Sequence, residues 1–155
     1  MIKAKDMSRA EVISELRKYF HLAELVCPHT LARDGERSWR HLTTDALRVL
    51  LALRVEVLKV PLICNTSKHT QRGLRCNLCD LVKQATASGR VYLTTHNGRG
   101  FDLTSREMTA EEMRRKVEAN ADAFPCPVRI EKDVTWLHID TMDEGNGVSV
   151  YRFNG

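Results

Sequence analysis

The sequence has no long apolar run, no internal repeat and no low-complexity tract. No hydrophobic stretch approaches the about 20 residues that a membrane-spanning helix needs, so we expect no membrane insertion. The first 20 residues lack the uncharged apolar segment and the small-residue cleavage site of a secretory signal. We therefore expect a protein that is synthesised and folded in the cytoplasm.

Cysteine is present, but not in the even, regularly spaced set that a disulfide framework requires. The odd count and scattered positions predict reduced thiols, as is usual in a cytoplasm. The five cysteines are Cys27, Cys64, Cys76, Cys79 and Cys126.

Basic residues are not clustered, although the formal net charge is +4. A weak, dispersed positive charge favours no particular polyanion, so we expect no nucleic-acid partner. The hydrophobic content of 43% and charged content of 28% are typical of an ordinary globular protein. A chain of 155 residues at this composition predicts one domain over residues 1–155, which we expect to be monomeric.

Helices are predicted where capping residues precede apolar positions at helical spacing. Ser8 and Glu11 have the spacing of a capping box and predict a helix reaching about Tyr19 or Phe20. Thr43 or Thr44 can cap the strongest helical pattern. The predicted helices span about 8–20, 43–60, 75–89 and 109–122.

Strands are predicted mainly in the second half of the chain, which indicates an α+β fold with helices packed on a small antiparallel sheet. The predicted strands are 60–66, 90–96, 101–105, two alternating runs within 126–141, and 147–153. The two runs within 126–141 predict a hairpin with a two-residue turn at Lys132–Asp133. Glu131 then pairs with Val134.

One glycine-rich stretch, TTHNGRGFDLT, carries a histidine and an aspartate that could bind a metal ion. Gly98 and Gly100 allow the backbone to bend so that His96 and Asp102 face one point. His138, in the predicted strand TWLHID, supplies a third candidate ligand. Catalytic zinc sites commonly hold three such ligands and leave one position for water.

Three motifs together resemble a family of peptidoglycan peptidases. The stretches RGLRCN, TTHNGRGFDL and WLHID follow the order of that family's Ser-Gly-Tyr-Arg, Ser-x-His-x-x-Gly-x-Ala-x-Asp and Trp-x-His-x-Asp motifs. The family comprises zinc D-Ala-D-Ala carboxypeptidases and L-alanyl-D-glutamate endopeptidases, including phage endolysins. The amino-terminal domain of hedgehog proteins shares its fold. The resemblance spans roughly residues 20–153, with Thr94 in place of the family's serine and a turn one residue shorter.

The resemblance implies a zinc-dependent hydrolase that cleaves peptidoglycan stem peptides, as a carboxypeptidase or as an endolysin-type endopeptidase. The implied Zn²⁺ ligands are His96, Asp102 and His138. Arg75 matches the family's arginine and would hold the substrate carboxylate or stabilise charge on the tetrahedral oxygen. Trp136 is expected either as a wall of the substrate pocket or as a core residue. An enzyme of this kind degrades the cell wall after release from the cytoplasm.

The general base is predicted less directly. The family has an acidic residue shortly before its last histidine, whereas Thr135 stands at that place. Glu131 and Asp133 are the candidates, and the predicted hairpin favours Glu131 because it lies on the face of His138. The alternative is that both are solvated turn residues. Asp140 would orient a ligand histidine or face the solvent.

Cys76 and Cys79 form a CxxC motif. Their spacing of three residues in a predicted helix favours buried thiols over a zinc knuckle or a redox pair. Four further histidines have no partner recognisable in the sequence and are treated as structural or exposed. They are His21, His29, His41 and His69.

Two other functional classes remain open. The first is a non-catalytic, zinc-containing module on the same fold that binds the cell wall or serves in a virion. The second, favoured less, is a CxxC redox protein. A zinc determination followed by a muropeptide cleavage assay separates the three classes.

Overall fold

The computed structural model describes residues 2–90 and 94–155 and has the predicted α+β class. The helices are α1 (Arg9–Leu16), α2 (Pro28–Asp34), α3 (Thr44–Ala52), α4 (Asp80–Ala87) and α5 (Ala110–Ala119). The strands are β1 (Gly100–Leu103), β2 (Val128–Glu131), β3 (Leu137–Asp140) and β4 (Val150–Phe153). Short 3-10 turns cover Ala4–Asp6, Leu22–Glu24, Gly35–His41 and Ala121–Ala123, and a π-helical turn covers Leu53–Val57.

The predicted helix starts are confirmed where a side chain caps the first turn. Ser8 and Glu11 form the expected capping box before α1, and Thr43 caps α3 by accepting a hydrogen bond from Ala46 N. Thr109 opens α5 in the same way as Ser8 opens α1. The first helix ends at Leu16, earlier than predicted.

The helix predicted over 75–89 begins only at Asp80, with Cys79 as the residue before its first turn. Cys76 and Cys79 therefore lie in a turn, where the carbonyl of Cys76 accepts a hydrogen bond from Cys79 N at 3.1 Å. The prediction that this pair lies in a helix is wrong, whereas the expected burial is found for Cys79 and only in part for Cys76. The end of the helix was predicted correctly, since Gly89 follows it with a positive φ of 71°.

The sheet is mixed, so the expectation of a wholly antiparallel sheet is wrong for one pair of strands. The order is β1-β3-β2-β4, with β3 antiparallel to both of its neighbours and β4 parallel to β2. Strands β1 and β2 occupy the two edges of β3, and β4 pairs with the other edge of β2. Both β2 and β4 run in the direction opposite to β3.

The hairpin of β2 and β3 forms, but its predicted register is wrong. Ile130 pairs with Ile139, which leaves a five-residue loop over 132–136 in place of a two-residue turn. The buried guanidinium of Arg114 donates to three carbonyl groups of this segment, those of Glu131, Val134 and Trp136, at 3.1–3.3 Å. These bonds stabilise the longer loop.

The strand predicted over 60–66 is reduced to a single bridge between Ile63 and Thr104. Pro61 has no N–H group to continue a ladder, and the buried amide of Asn65 turns the chain by bonding Arg72 N and Val26 O. The core of the strand predicted over 90–96 lies outside the described residues. Within the described ranges, no helix is both long enough and apolar enough to cross a bilayer.

The sheet has one apolar face and one polar face because side chains alternate along each strand. The apolar face joins the buried side chains of α1 and α3 in a single core. Its members from the sheet are Phe101, Leu103, Val128, Ile130, Leu137 and Ile139. The opposite face carries Asp102, Arg129, Glu131, His138 and Asp140, and it is this face that holds the candidate site.

Candidate functional site

Three predicted ligands meet at the polar face of the sheet. Asp102 on β1 pairs directly with His138 on β3, and His96 lies in the turn just before β1. One carboxylate oxygen of Asp102 is 2.7 Å from His138 Nδ1, and the other is 3.3 Å from His96 Nε2. One potential ligand atom from each residue lies within 4.8 Å of the other two. These three side chains could hold a metal ion.

The turn that carries His96 is fixed by close backbone packing. Gly98 has a φ of +107°, and a Cβ added there would lie 2.0 Å from the carbonyl oxygen of His41. The carbonyl of Gly98 in turn accepts a hydrogen bond from Thr43 N at 2.9 Å. Gly100 has no positive φ, but a Cβ there would lie 2.8 Å from Asp140 Cβ. A side chain at either position would displace the turn.

The imidazole of His96 is oriented by its second nitrogen. Nδ1 donates to the carbonyl oxygen of Gly73 at 2.8 Å, which leaves Nε2 as the acceptor that points towards Asp102. The backbone of His96 is bound to the segment that contains Gly73, because Arg75 N donates a hydrogen bond to His96 O at 2.8 Å. Such a bond selects the tautomer and ring orientation of a metal-binding histidine.

His138 is held by two carboxylates. Its Nδ1 faces Asp102, while Nε2 is 2.7 Å from Asp140 Oδ2. Arg129 binds Asp140 with two hydrogen bonds of 3.0 Å, and the Thr95 hydroxyl donates to the same carboxylate at 3.2 Å. Asp140 therefore orients His138 through the ring nitrogen that does not face Asp102, which is the first of its two predicted roles.

The charged forms of His138, Asp102 and Asp140 stabilise one another. Burial lowers the pKa of His138, but hydrogen bonds to Asp102 and Asp140 outweigh it and raise the pKa to about 9. Burial raises the pKa of Asp140, but its bonds to His138 and Arg129 bring it down to about 2. The pKa of Asp102 is lowered for the same reason, through both histidines. Two ionised carboxylates next to a buried imidazole form a site for positive charge.

An open cavity of about 990 Å³ lies over these residues. Its lining includes His96, His138, Arg75 and Glu131. Phe153, at the end of β4, forms another part of the wall, with its ring centroid 5.6 Å from that of His138. A donor group at the base of an open cavity is accessible to a ligand of peptide size.

Two of the predicted catalytic residues lie in this cavity. Arg75 places Nη2 3.6 Å from Asp102 Oδ2, and its Nε donates to the carbonyl of Gln71 at 2.6 Å. Glu131 lies one residue beyond the pair Ile130–Ile139 and so comes level with His138. The predicted face of Glu131 is therefore correct although the register that led to it is not.

Asp133 and Trp136 are not brought to the cavity. Asp133 is exposed in the β2–β3 loop with a φ of 63°. Trp136, with 37% of its surface exposed, lies in the same loop just before β3. It is not a core residue, and neither side chain is part of the described cavity lining.

The sequence did not reveal the contributions of Thr95 and Arg129. Both bond the carboxylate of Asp140, and the Thr95 hydroxyl also lies 3.3 Å from His138 Nε2. Arg129 had a recognisable signal, because it lies two residues before Glu131 and so shares its face of β2. The hydroxyl of Thr95 had none, since its role depends on the fold of the turn.

A second group of possible metal ligands was missed as a group. Cys27, His29, Cys76 and Cys79 each place one ligand atom within 4.8 Å of the others. His29 is exposed, as expected, but it has partners that the sequence did not reveal. His41 also has a partner, since its Nε2 is 2.6 Å from Asp34 Oδ2. The visible signal was a Cys-x-His motif at 27–29 in addition to the CxxC motif.

The chain was compared with protein-family models, curated proteins and solved structures, and none of the three comparisons gives a match.

Proposed function

We propose that the protein is a zinc-dependent peptidase that hydrolyses peptidoglycan stem peptides, as a D-Ala-D-Ala carboxypeptidase or an endopeptidase of the endolysin type. The observation that carries the proposal is the convergence of His96, Asp102 and His138 beside an open cavity that both histidines line. Asp102 and His138 are in contact although they are 36 residues apart in the sequence. Along the chain, the three residues stand in the order of the ligands in the family that the sequence resembles.

The donor set fits zinc. Two imidazoles and one carboxylate are the ligands of many catalytic zinc sites, which keep a position open for water. Each histidine uses its other nitrogen to bond a carbonyl or a carboxylate, namely Gly73 O and Asp140. Such outer bonds fix ligand histidines and increase their basicity. When bound, zinc supplies Lewis-acid activation of water and of the scissile carbonyl group.

The other residues of the cavity have tasks that follow from their chemistry. Glu131 is the carboxylate positioned to take a proton from the attacking water and pass it to the leaving amine. Arg75 carries a permanent positive charge and can bind a peptide carboxylate or the developing oxyanion. Phe153 provides apolar surface for the substrate.

Zinc content and cleavage of a synthetic stem peptide ending in D-Ala-D-Ala should be measured on the wild type and on His138→Ala. The variant should lose one zinc per chain and all measurable hydrolysis, because Asp102 and His96 alone bind the ion weakly. His69→Ala, which changes an exposed histidine outside the site, should retain both.

Full zinc occupancy in His138→Ala would exclude this ligand set. Zinc that depends on His138 in a wild type that cleaves neither stem peptides nor muropeptides would instead support a non-catalytic wall-binding or virion module.

A further inference from the structure

We propose that Cys27, His29, Cys76 and Cys79 form a second metal site, a closed zinc site that is structural and separate from the proposed catalytic centre. The four residues come from two segments about 50 residues apart in sequence, Cys27–His29 and Cys76–Cys79. Three thiolates and one imidazole are a common ligand set for structural zinc.

The distances among the donor atoms of His29, Cys76 and Cys79 match a tetrahedral zinc site, and a donor atom of Cys27 lies within 4.8 Å of them. With Zn–S near 2.3 Å and Zn–N near 2.0–2.1 Å, two sulfurs lie about 3.8 Å apart and a sulfur and a nitrogen about 3.6 Å apart. Cys76 Sγ is 4.0 Å from Cys79 Sγ and 3.6 Å from His29 Nδ1, and Cys79 Sγ is 3.8 Å from the same nitrogen. The sulfur separation is twice that of a disulfide, and all five cysteines are free.

Burial raises the pKa of Cys79 to about 12, but hydrogen bonds in the turn around Cys76 and Cys79 act in the opposite direction and favour the thiolates. Leu78 N donates to Cys76 Sγ and Cys76 N donates to Cys79 Sγ, both at 3.4 Å. Hydrogen bonds from N–H groups favour the charged form of the acceptor. The hydroxyl of the buried Thr30 is 3.1 Å from Cys27 Sγ and can act in the same way. Each of the three sulfurs thus lies beside an N–H or O–H group that is not itself a ligand atom.

The four ligands differ in burial, and their number indicates a structural site. Cys27 and Cys79 are almost fully buried, whereas Cys76 is half-buried and His29 is exposed. Four protein ligands complete a tetrahedron and leave no position for water, so the ion would have a structural role. It would join the start of α2 to the turn before α4. That turn follows Arg75 directly, so the ion would also fix the base of the cavity wall.

The test uses His138→Ala, which lacks a ligand of the proposed catalytic centre. Loaded with cobalt(II) as the probe, this variant should bind one ion per chain and show the thiolate-to-cobalt charge-transfer absorption of a sulfur-ligated site. Adding Cys76→Ser or His29→Ala should remove that absorption and the metal. Cys126→Ser is the matched control, because this cysteine lies outside the group, and it should change neither.

A further variant separates ligation from folding. His29→Cys replaces one ligand by another and should retain the metal that His29→Ala loses. X-ray absorption of the unmodified, zinc-loaded protein should show sulfur neighbours at about 2.3 Å.

The proposal is overturned by a zinc shell without sulfur, or by Cys76→Ser that still holds the same metal. It is equally overturned if reduced protein binds no ion here and oxidation joins Cys76 to Cys79, which would indicate a redox pair. None of these results depends on peptidase activity.

Discussion

The two groups of candidate metal ligands lie close to Arg75 but are built in different ways. Asp102 and His138 are aligned by the sheet register and share a contact of 2.7 Å, His96 Nε2 lies 3.3 Å from Asp102, and outer partners hold both histidines. The contacts among His29, Cys76 and Cys79 are 3.6–4.0 Å, between segments that no strand pairing connects. Hydrogen bonds can hold the first group together without an ion. We infer that the second group needs a bound metal ion to hold its two segments together.

This difference predicts that catalysis and structural metal binding can be separated by mutation. The largest effect is expected at Glu131 in the proposed peptidase. Glu131→Gln should retain zinc and fold but lose about 10²–10⁴-fold in the rate of stem-peptide hydrolysis, because the general base is removed. Steady-state kinetics on the purified variant measure this.

Asp133→Asn is the matched control, since this carboxylate is exposed and lies outside the described cavity lining. It should change the rate little. A large loss in Asp133→Asn with a normal rate in Glu131→Gln would transfer the role to Asp133.

The second effect concerns stability and contrasts the two groups directly. Removing zinc from the wild type should lower the free energy of unfolding by about 4 kcal/mol for each site at which zinc was present at a thousand times its dissociation constant. With the metal removed, His138→Asn should lower the free energy of unfolding because it loses hydrogen bonds to Asp102 and Asp140, whereas Cys79→Ser should lower it less. Denaturant unfolding of the wild type and both variants, with and without a chelator, measures this. Equal losses in the two variants would mean that the groups do not differ as we infer.

The third effect is a pH dependence of the metal-free protein. The pKa of His138 is raised from 6.5 to about 9, so its protonation stabilises the fold fully below pH 6.5. That stability should be lost as the pH rises through about 9, by up to about 3 kcal/mol. Unfolding measured between pH 6 and about 10 should show the decrease in the wild type but not in His138→Asn. A decrease of the same size in both would assign it to other groups.

The smallest effect tests the turn that carries His96. Gly98→Ala should destabilise the protein by roughly 1–3 kcal/mol, because alanine disfavours a φ of +107° and would clash with the carbonyl of His41. Gly145→Ala has a φ of +70° and open space around it, so thermal unfolding should show a smaller change. Weaker zinc binding in Gly98→Ala alone would show that the turn positions His96.

The features that sequence could predict depend on neighbouring residues. Ser8 and Thr109 cap their helices through contacts three residues away. Glu131 kept its predicted face because its partner on the other strand shifted by four residues, from Val134 to His138, and an even shift preserves the face. The hairpin register could not be predicted, because Arg114 on a distant helix binds the loop carbonyls. The parallel pairing of β4 likewise depends on which strand edge is free.

The candidate sites show the same limit. His96, Asp102 and His138 could be found because they stand in two recognisable motifs, the first two in TTHNGRGFDL and the third in WLHID. The group at Cys76 and Cys79 could not, because its other half lies about 50 residues earlier and its geometry depends on how α2 packs. A lone CxxC motif does not indicate which histidine or cysteine will face it.

The pairing of β4 with β2 has a practical consequence for anyone preparing this protein. Phe153 borders the cavity, and the backbone of Gly155 lies against the side chain of Glu131. Any segment that follows Gly155, whether an affinity tag or further sequence, would therefore begin beside the cavity and could occupy it in place of a ligand. A tag that precedes Ile2, which is 54% exposed, avoids this competition.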